Sequence, residues 1–329
     1  MNPTILLVDA ASKERENWKA FLENQEYEVL TAETPESARH LCLQFQPDLV
    51  LLHDHLPEVR GVELCRRLKQ DPFNQLTPIV LVSAAPTPME LEQSREAGAA
   101  DFWGVQSSLG EGLDRIQTLL RLKCYIDEQA KSVVLSLAHS IEAKHCLSDG
   151  HSGRLAEYAL RLGESLGLGE EELEELRLGC LLHDIGKVAV PDSILLKPAR
   201  LSQQEMEIMR EHPITGEQIC APLKSLRPIL PIIRHHHERM DGTGYPDGLI
   251  GGEIPIKARI LQVADVYDAL INDRAYREAL SSSEALEIRR QEAVHGWLDA
   301  SLVCKFTLIC QVGDFLPNRC RSMLASYYA

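Results

Sequence analysis

Five short apolar runs, TILLVD, YEVLTA, LVLLHD, PIVLVSA and ADFWGV, recur through the first 105 residues, with amphipathic segments between them. Most of these runs are rich in Val, Ile or Leu, as strands buried on both faces of a parallel sheet must be. Thr34 followed by Pro35 reads as a helix start, the threonine capping and the proline occupying the first turn. Five strand–helix units predict an α/β half: a doubly wound, flavodoxin-like, parallel five-stranded sheet, with any ligand site at the carboxyl ends of its strands.

After residue 106 the strand rhythm stops. Residues 107–141 read as one helix, with Leu109, Leu113, Ile116, Leu120, Tyr125, Val133 and Leu137 among its apolar positions. It offers a homodimer seam, although no strict heptad is evident. From 151 to about 310 the pattern is helical throughout, including 151–166, 170–184, 202–211, 214–221, 227–239, 256–272 and 282–293, with Pro- and Gly-rich turns between. The expected division is 1–122, a linker helix over 123–135, and an all-α part over 136–329. The last twenty residues carry no readable signal.

Charge and cysteine usage limit the setting. A formal net charge of −15 argues against a nonspecific hold on DNA or acidic lipid. No apolar run approaches the roughly 18 residues of a membrane span, and Asp9 interrupts the N-terminus too early for a secretory signal. The nine cysteines form no C-x-x-C pair and read as reduced thiols, which places the protein in the cytoplasm.

The second part concentrates metal-capable side chains: His151, His183, Asp184, His212, His236, His237 and Asp265, with Asp268 a helical turn beyond. This exceeds the needs of one four-coordinate ion. Imidazole and carboxylate without thiolate suit iron, manganese, zinc or nickel. Two ions bridged by an aspartate could activate water and clamp a phosphoryl oxygen. Neighbouring helix residues diverge by about 100°, so His183/Asp184 and His236/His237 could each reach different faces of such a cluster. Asp265, Asp268 and Asn272 form a polar stripe on an otherwise apolar helix, RILQVADVYDALI.

Those residues sit in HDIGKVAVPDSILLKPARLS, EHPITGEQI, HHERMDGTGYPDG and RILQVADVYDALINDRAYR, which resemble the successive signatures of the HD-GYP family of cyclic di-GMP phosphodiesterases. The likeness covers about residues 136–306, and HGWLDASLV is similar to the family's closing segment. It implies an all-helical HD-domain bundle that hydrolyses cyclic di-GMP to pGpG and in some members on to GMP. Carried over by motif, His151, His183, Asp184, His212, His236, His237 and Asp265 would hold two divalent ions, Fe(II) or Mn(II), with Asp184 as the bridge. Lys187 would touch the scissile phosphate and help protonate the leaving oxygen. Asp268, Arg274 and Arg277 resemble positions near the substrate phosphates, and Gly244, Tyr245 and Pro246 form the loop that names the family. One departure stands out: KHCLSDGH, with His145 and Leu147, replaces the usual KDPYTxGH, and Leu147 cannot ligate a third ion although Glu142 is near. His235 and His145 are read as structural, and Glu238 as either orienting a ligand histidine or facing solvent.

Residues 3 to about 122 resemble a response-regulator receiver domain whose signature fails. The phosphoacceptor position, four residues before Pro57, is His53. Ala10 replaces the second member of the acidic pair, and about Val105 stands where the lysine belongs, while Ser83 is retained. Asp54 lies one residue along and should point away from the pocket, because side chains alternate along a strand. The resemblance therefore implies a pseudo-receiver without magnesium, serving packing, dimerisation or a protein partner. The expected function is a metal-dependent cyclic-dinucleotide phosphodiesterase (a hydrolase) in bacterial second-messenger signalling. The alternatives are a catalytically weak, metal-loaded cyclic di-GMP sensor or scaffold, and an enzyme acting on another cyclic dinucleotide such as cyclic GMP-AMP.

Overall fold

The computed structural model describes residues 2–84, 87–104, 108–144, 150–272 and 278–311. Two compact units divide between Lys131 and Ser132, with Ala221–Ser225 grouped with the first.

In the first unit, strands β1 (Thr4–Val8), β2 (Glu28–Ala32), β3 (Leu49–His53), β4 (Ile79–Ser83) and β5 (Asp101–Gly104) pair in parallel in the order 2-1-3-4-5. Helices α1 (Ser12–Glu23), α2 (Pro35–Phe45), α3 (Gly61–Gln70) and α4 (Pro88–Glu96) alternate with them. Burial follows the two-residue period of a strand. Leu6, Val8, Val50 and Leu52 pack on one face with Ala38 and Cys42 of α2 and Leu64 and Leu68 of α3. Ile5, Leu7, Leu49 and Leu51 pack on the other with Leu22 of α1, Trp103, and Ile116 of the helix that follows. This is the expected doubly wound sheet. Thr34 caps α2 as anticipated, its hydroxyl oxygen accepting from the Ser37 amide at 3.2 Å, with Pro35 at the first helical position.

Helix α5 runs without a break from Leu109 to Lys144. Beyond it the described residues hold helices and turns, with one isolated antiparallel bridge between Asp241 and Ile250: α6 (His151–Ser165), α7 (Glu170–Leu182), α8 (Asp192–Leu195), α9 (Gln203–Met209), α10 (His212–Cys220), α11 (Leu230–His235), α12 (Ile256–Ile271), α13 (Ser282–Val294) and α14 (Ala300–Gln311). Helix α12 is the axis of this unit, with Ile260, Leu261, Val263 and Ala264 all fully buried. Tyr158 of α6, Tyr267 of α12 and Phe306 of α14 meet edge to face with centroids 5.1–6.3 Å apart. No helix among the described residues is long and apolar enough to cross a membrane.

Two helix boundaries differ from expectation in a way that shapes the site. The segment 227–239 is not one helix: a 3₁₀ turn over Lys224–Ile229 contains Pro228, and α11 then stops at His235. Pro228 and Pro231 each lack a backbone donor and restrict the chain, so a continuous helix cannot pass through both. Helix α7 likewise ends at Leu182 and passes into a 3₁₀ turn at Ile185–Ala189. His183/Asp184 and His236/His237 therefore occupy helix ends, where adjacent side chains fan out.

Candidate metal centre

Three histidines share one local device. His183 Nδ1 lies 2.9 Å from the Cys180 carbonyl, His212 Nδ1 2.8 Å from Met209, and His236 Nδ1 2.7 Å from Ile233, each three residues back at a helix end. A carbonyl only accepts, so Nδ1 carries the proton and donates. In the neutral ring Nε2 then presents a lone pair. His151, the first residue of α6, is fixed instead by Asp268, whose carboxylate lies 2.6 Å from its Nδ1.

The freed nitrogens converge in two groups. Asp184, His212, His236 and His237 form one, and His151, His183 and Asp265 the other; within each, the potential ligand atoms all lie within 4.8 Å of one another. Asp184 faces both. Its Oδ1 is 3.3 Å from His212 Nε2 and 3.9 Å from His236 Nε2, while its Oδ2 is 3.2 Å from His183 Nε2. His212 and His236 confront each other Nε2 to Nε2 at 3.2 Å. Two lone pairs at that distance repel unless a cation lies against them. Asp184 Oδ1 is buried with no hydrogen-bond donor, a costly state for a carboxylate oxygen unless a cation satisfies it. The donor set of imidazole nitrogens and carboxylate oxygens therefore fits a pair of divalent ions.

The electrostatics divide the rings: His236 and His237 are held neutral, whereas His183 is drawn toward its cation by the carboxylates beside it. Burial holds His236 and His237 well below the ordinary imidazole range, and the neighbouring histidines add to the effect. Burial also opposes a charge on His183, but the Asp184 carboxylate, with Asp265 adding to it, pushes this ring up to about 9. Asp184 stays well below the usual carboxylate range despite burial, because Lys187 and His183 favour its anion. Lys187 donates to Asp184 Oδ2 at 2.6 Å.

Two motif glycines have a packing reason. A side chain at Gly186 of HDIGK would collide with the His212 carbonyl and the Gly216 amide, so only glycine lets the 3₁₀ turn press against α10. One at Gly244 would strike the Glu238 and Arg239 backbone. That close approach lays the Gly244–Tyr245–Pro246 loop on the HHE turn. The Tyr245 amide donates to the His237 carbonyl at 3.2 Å, and the Tyr245 ring stacks on the His237 ring at 4.8 Å and 27°.

Some expectations need correction. Asp268 does not face the site: it is 2% exposed and occupied by His151, by Arg154 (Nε to Oδ1, 2.9 Å) and by the Asn272 amide (3.0 Å). It stands behind a ligand histidine, where a phosphate would find a shielded anion rather than a donor. Asn272 falls past the end of α12 in extended conformation and turns back to Asp268, so the polar stripe stops there. Glu238 neither orients one of the converging histidines nor faces solvent; the imidazole near it is that of His235, 3.9 Å away. It is 2% exposed and accepts the backbone amides of Asp247, Gly248 and Leu249 at 2.7, 3.1 and 3.1 Å, clamping the loop from within. Glu142 belongs to neither ligand group; it caps α6 through the Ser152 amide and hydroxyl at 3.0 and 2.7 Å. Arg154 was missed, although its place three residues after His151 put it on the same helix face. Arg274 and Arg277 lie outside the described residues, as do Val105, His145 and Leu147.

In the first unit, His53 ends β3 and is partly exposed, whereas Asp54 is fully buried. Asp54 Oδ1 accepts the Val62 amide at 3.2 Å, and Oδ2 accepts from the Arg60 guanidinium. Its carboxylate therefore serves the start of α3, turned off the strand edge as the alternation predicts. Asp9 Oδ1 accepts the Ala11 amide at 2.8 Å.

Comparison with known proteins bears on both units. The family model of the HD domain matches residues 136–302, and that of the response regulator receiver domain matches residues 5–106. The chain is 33% identical over 307 residues to the cyclic di-GMP phosphodiesterase response regulator RpfG of Xanthomonas campestris, covering 86% of this chain and 81% of that protein. It is 30% identical over 329 residues to a cyclic di-GMP phosphodiesterase of Thermotoga maritima, covering 90% and 87%. Over 184 residues it is 37% identical to the 3'3'-cGAMP-specific phosphodiesterase 2 of Vibrio cholerae, covering 55% of this chain and 34% of that one.

Proposed function

Since the chain belongs to the HD-domain family, with a response-regulator receiver domain in its first half, we propose that it is a metal-dependent phosphodiesterase opening cyclic di-GMP to pGpG. Onward hydrolysis to GMP would be a second, separate turnover. The observation that carries this reading is Asp184, whose two oxygens face two separate groups of inward-pointing imidazoles. Two divalent ions there, Fe(II) or Mn(II), would supply Lewis acidity and an activated water.

The protein's own groups do the rest. His151, His183 and Asp265 would hold one ion, His212, His236 and His237 the other, and Asp184 would serve both. Nδ1 anchoring holds the His151, His183, His212 and His236 rings in place before substrate arrives, which limits the reorganisation that binding requires. Opening the ring adds water across one P–O bond and leaves a ribose oxygen in need of a proton. Lys187, whose Nζ lies 2.6 Å from Asp184 Oδ2, would hold the scissile phosphate and give that proton.

The receiver half does not take part in phosphotransfer. His53 holds the acceptor position, and Asp54 is committed to α3. Without an acidic pair it binds no magnesium, and it serves as a packing, homodimerisation or protein-docking module. A cytoplasmic setting follows from the same reading.

The likeness to a 3'3'-cGAMP-specific enzyme supports a second substrate for the same site. Parallel turnover of cyclic di-GMP and 3'3'-cGAMP by metal-reconstituted protein, with products separated by chromatography, decides between them. Appearance of pGpG at the higher kcat/KM supports cyclic di-GMP. Tight binding without any product would instead make the protein a sensor.

A further inference from the structure

Arg210 closes helix α9, its amide donating to the Met206 carbonyl at 2.9 Å, two residues ahead of His212. Its guanidinium carbon sits 5.2 Å from the centre of the Tyr245 ring, the ring that stacks on His237. The Tyr245 ring thus meets both the His237 imidazole and the Arg210 guanidinium, which puts this cation one ring away from the His212, His236 and His237 group.

Arg210 is exposed. In the same unit Arg154, Arg177, Arg234 and Arg259 each meet a carboxylate, whereas Arg210 pairs with no acid among the described residues. Stacking on an aromatic ring fixes a guanidinium without consuming its five N–H donors. In a chain of net charge −15, a cation held this way beside the reaction centre marks where an anion is to be received. A cyclic dinucleotide carries two phosphodiesters, of which only one can lie on the metals. Taking the function proposed above as its premise, we infer that Arg210 grips the second phosphodiester, the one not being cut, and so selects cyclic dinucleotides over simple diesters. A guanidinium fork suits that task, since it matches phosphate oxygens in pairs.

The test compares cyclic di-GMP with bis(p-nitrophenyl) phosphate, which has one phosphate and no second anion, using the full-length, metal-loaded protein. For Arg210→Ala, the ratio of kcat/KM values, cyclic di-GMP over the simple diester, should fall on the order of tenfold or more, mainly through KM. Arg210→Lys, which keeps the charge, should recover a substantial part. If Arg210 only propped Tyr245 against His237, both substrates would suffer together and the ratio would hold, overturning the inference. Equal loss in the Lys and Ala variants would also overturn it, pointing to a planar contact with a base. Wild-type protein that cuts the simple diester but neither cyclic dinucleotide would instead remove the premise.

Discussion

The Asp268 carboxylate lies 2.6 Å from His151 Nδ1 while the same ring's Nε2 points toward Asp265, 3.5 Å away. One imidazole thus links a buried anion to a ligand group, and Arg154 and Asn272 hold that anion in place. Such partners fix the ring and raise its basicity toward a metal. Asp268→Ala is expected to weaken metal binding by about 10- to 100-fold, with Asp268→Asn losing less. Metal content after dialysis against a graded chelator reads this directly. Retention equal to wild type would remove Asp268 from the centre.

Asp184 is the residue that faces both groups, its Oδ1 toward His212 and its Oδ2 toward His183. Asp184→Asn keeps the size and removes the charge, so turnover should drop below detection. The rise in unfolding temperature that Mn(II) gives the wild-type protein should shrink with it, because a ligand stabilises only the state that binds it. A variant that kept the full metal-dependent rise would show that Asp184 lies outside the metal sites.

Glu238→Ala leaves three backbone amides of the Asp247–Leu249 turn without an acceptor. Unsatisfied buried donors cost about 1–3 kcal/mol. The variant should be less stable by that order in denaturant titration, and limited proteolysis should cut first within 241–250. Unchanged stability and cleavage would contradict the clamp.

The sheet and the convergence of the histidines were legible in sequence, and for separate reasons. Strands buried on both faces must be apolar at every position, so LVLLH reads as a strand without any partner in view. His183, His212 and His236 declare themselves by spacing within motifs. What the sequence did not disclose is direction. Asp265 and Asp268 lie one turn apart on the same helix, and nothing local says that the first enters the site while the second stands behind His151. Glu238 follows two ligand histidines, yet its partners are amides nine to eleven residues on, brought back by a reversal that only the folded loop defines. Helix ends mattered for the same reason: Pro228 and Pro231 were visible, but that they would leave His236 and His237 fanned at a terminus depended on where α11 stopped.

Asp299 ties α14 to α12. Its Oδ1 accepts from the Ser301 amide and hydroxyl at 2.9 and 2.6 Å, and its Oδ2 from Arg259 at 2.7 Å. Burial opposes its charge, yet these donors hold its pKa below the ordinary value. A depressed carboxylate contributes stability that is present above the unfolded value of about 3.9 and lost as pH falls through the folded one. Asp299→Ala should cost about 1–2 kcal/mol at pH 7, with the gap to wild type closing below about pH 4. A gap that stayed constant down to acid unfolding would assign the loss to packing instead.

The receiver half should not respond to small phosphodonors. Incubation with acetyl phosphate and magnesium is expected to add no phosphoryl mass, and beryllofluoride to leave the amide spectrum unchanged. Asp54→Ala should instead act on stability, by about 1–3 kcal/mol, because the Val62 amide and Arg60 lose a buried acceptor. Stoichiometric phosphorylation that Asp54→Asn abolished would restore the switch.

Opening of cyclic di-GMP at a two-metal site is read out by a titration of turnover against bound metal. Anaerobic apoprotein receives Fe(II) or Mn(II) in steps while pGpG release is followed at saturating cyclic di-GMP. Activity is expected to rise to a plateau at two equivalents per chain. A plateau at one equivalent, or fully loaded protein that leaves cyclic di-GMP intact, would contradict it.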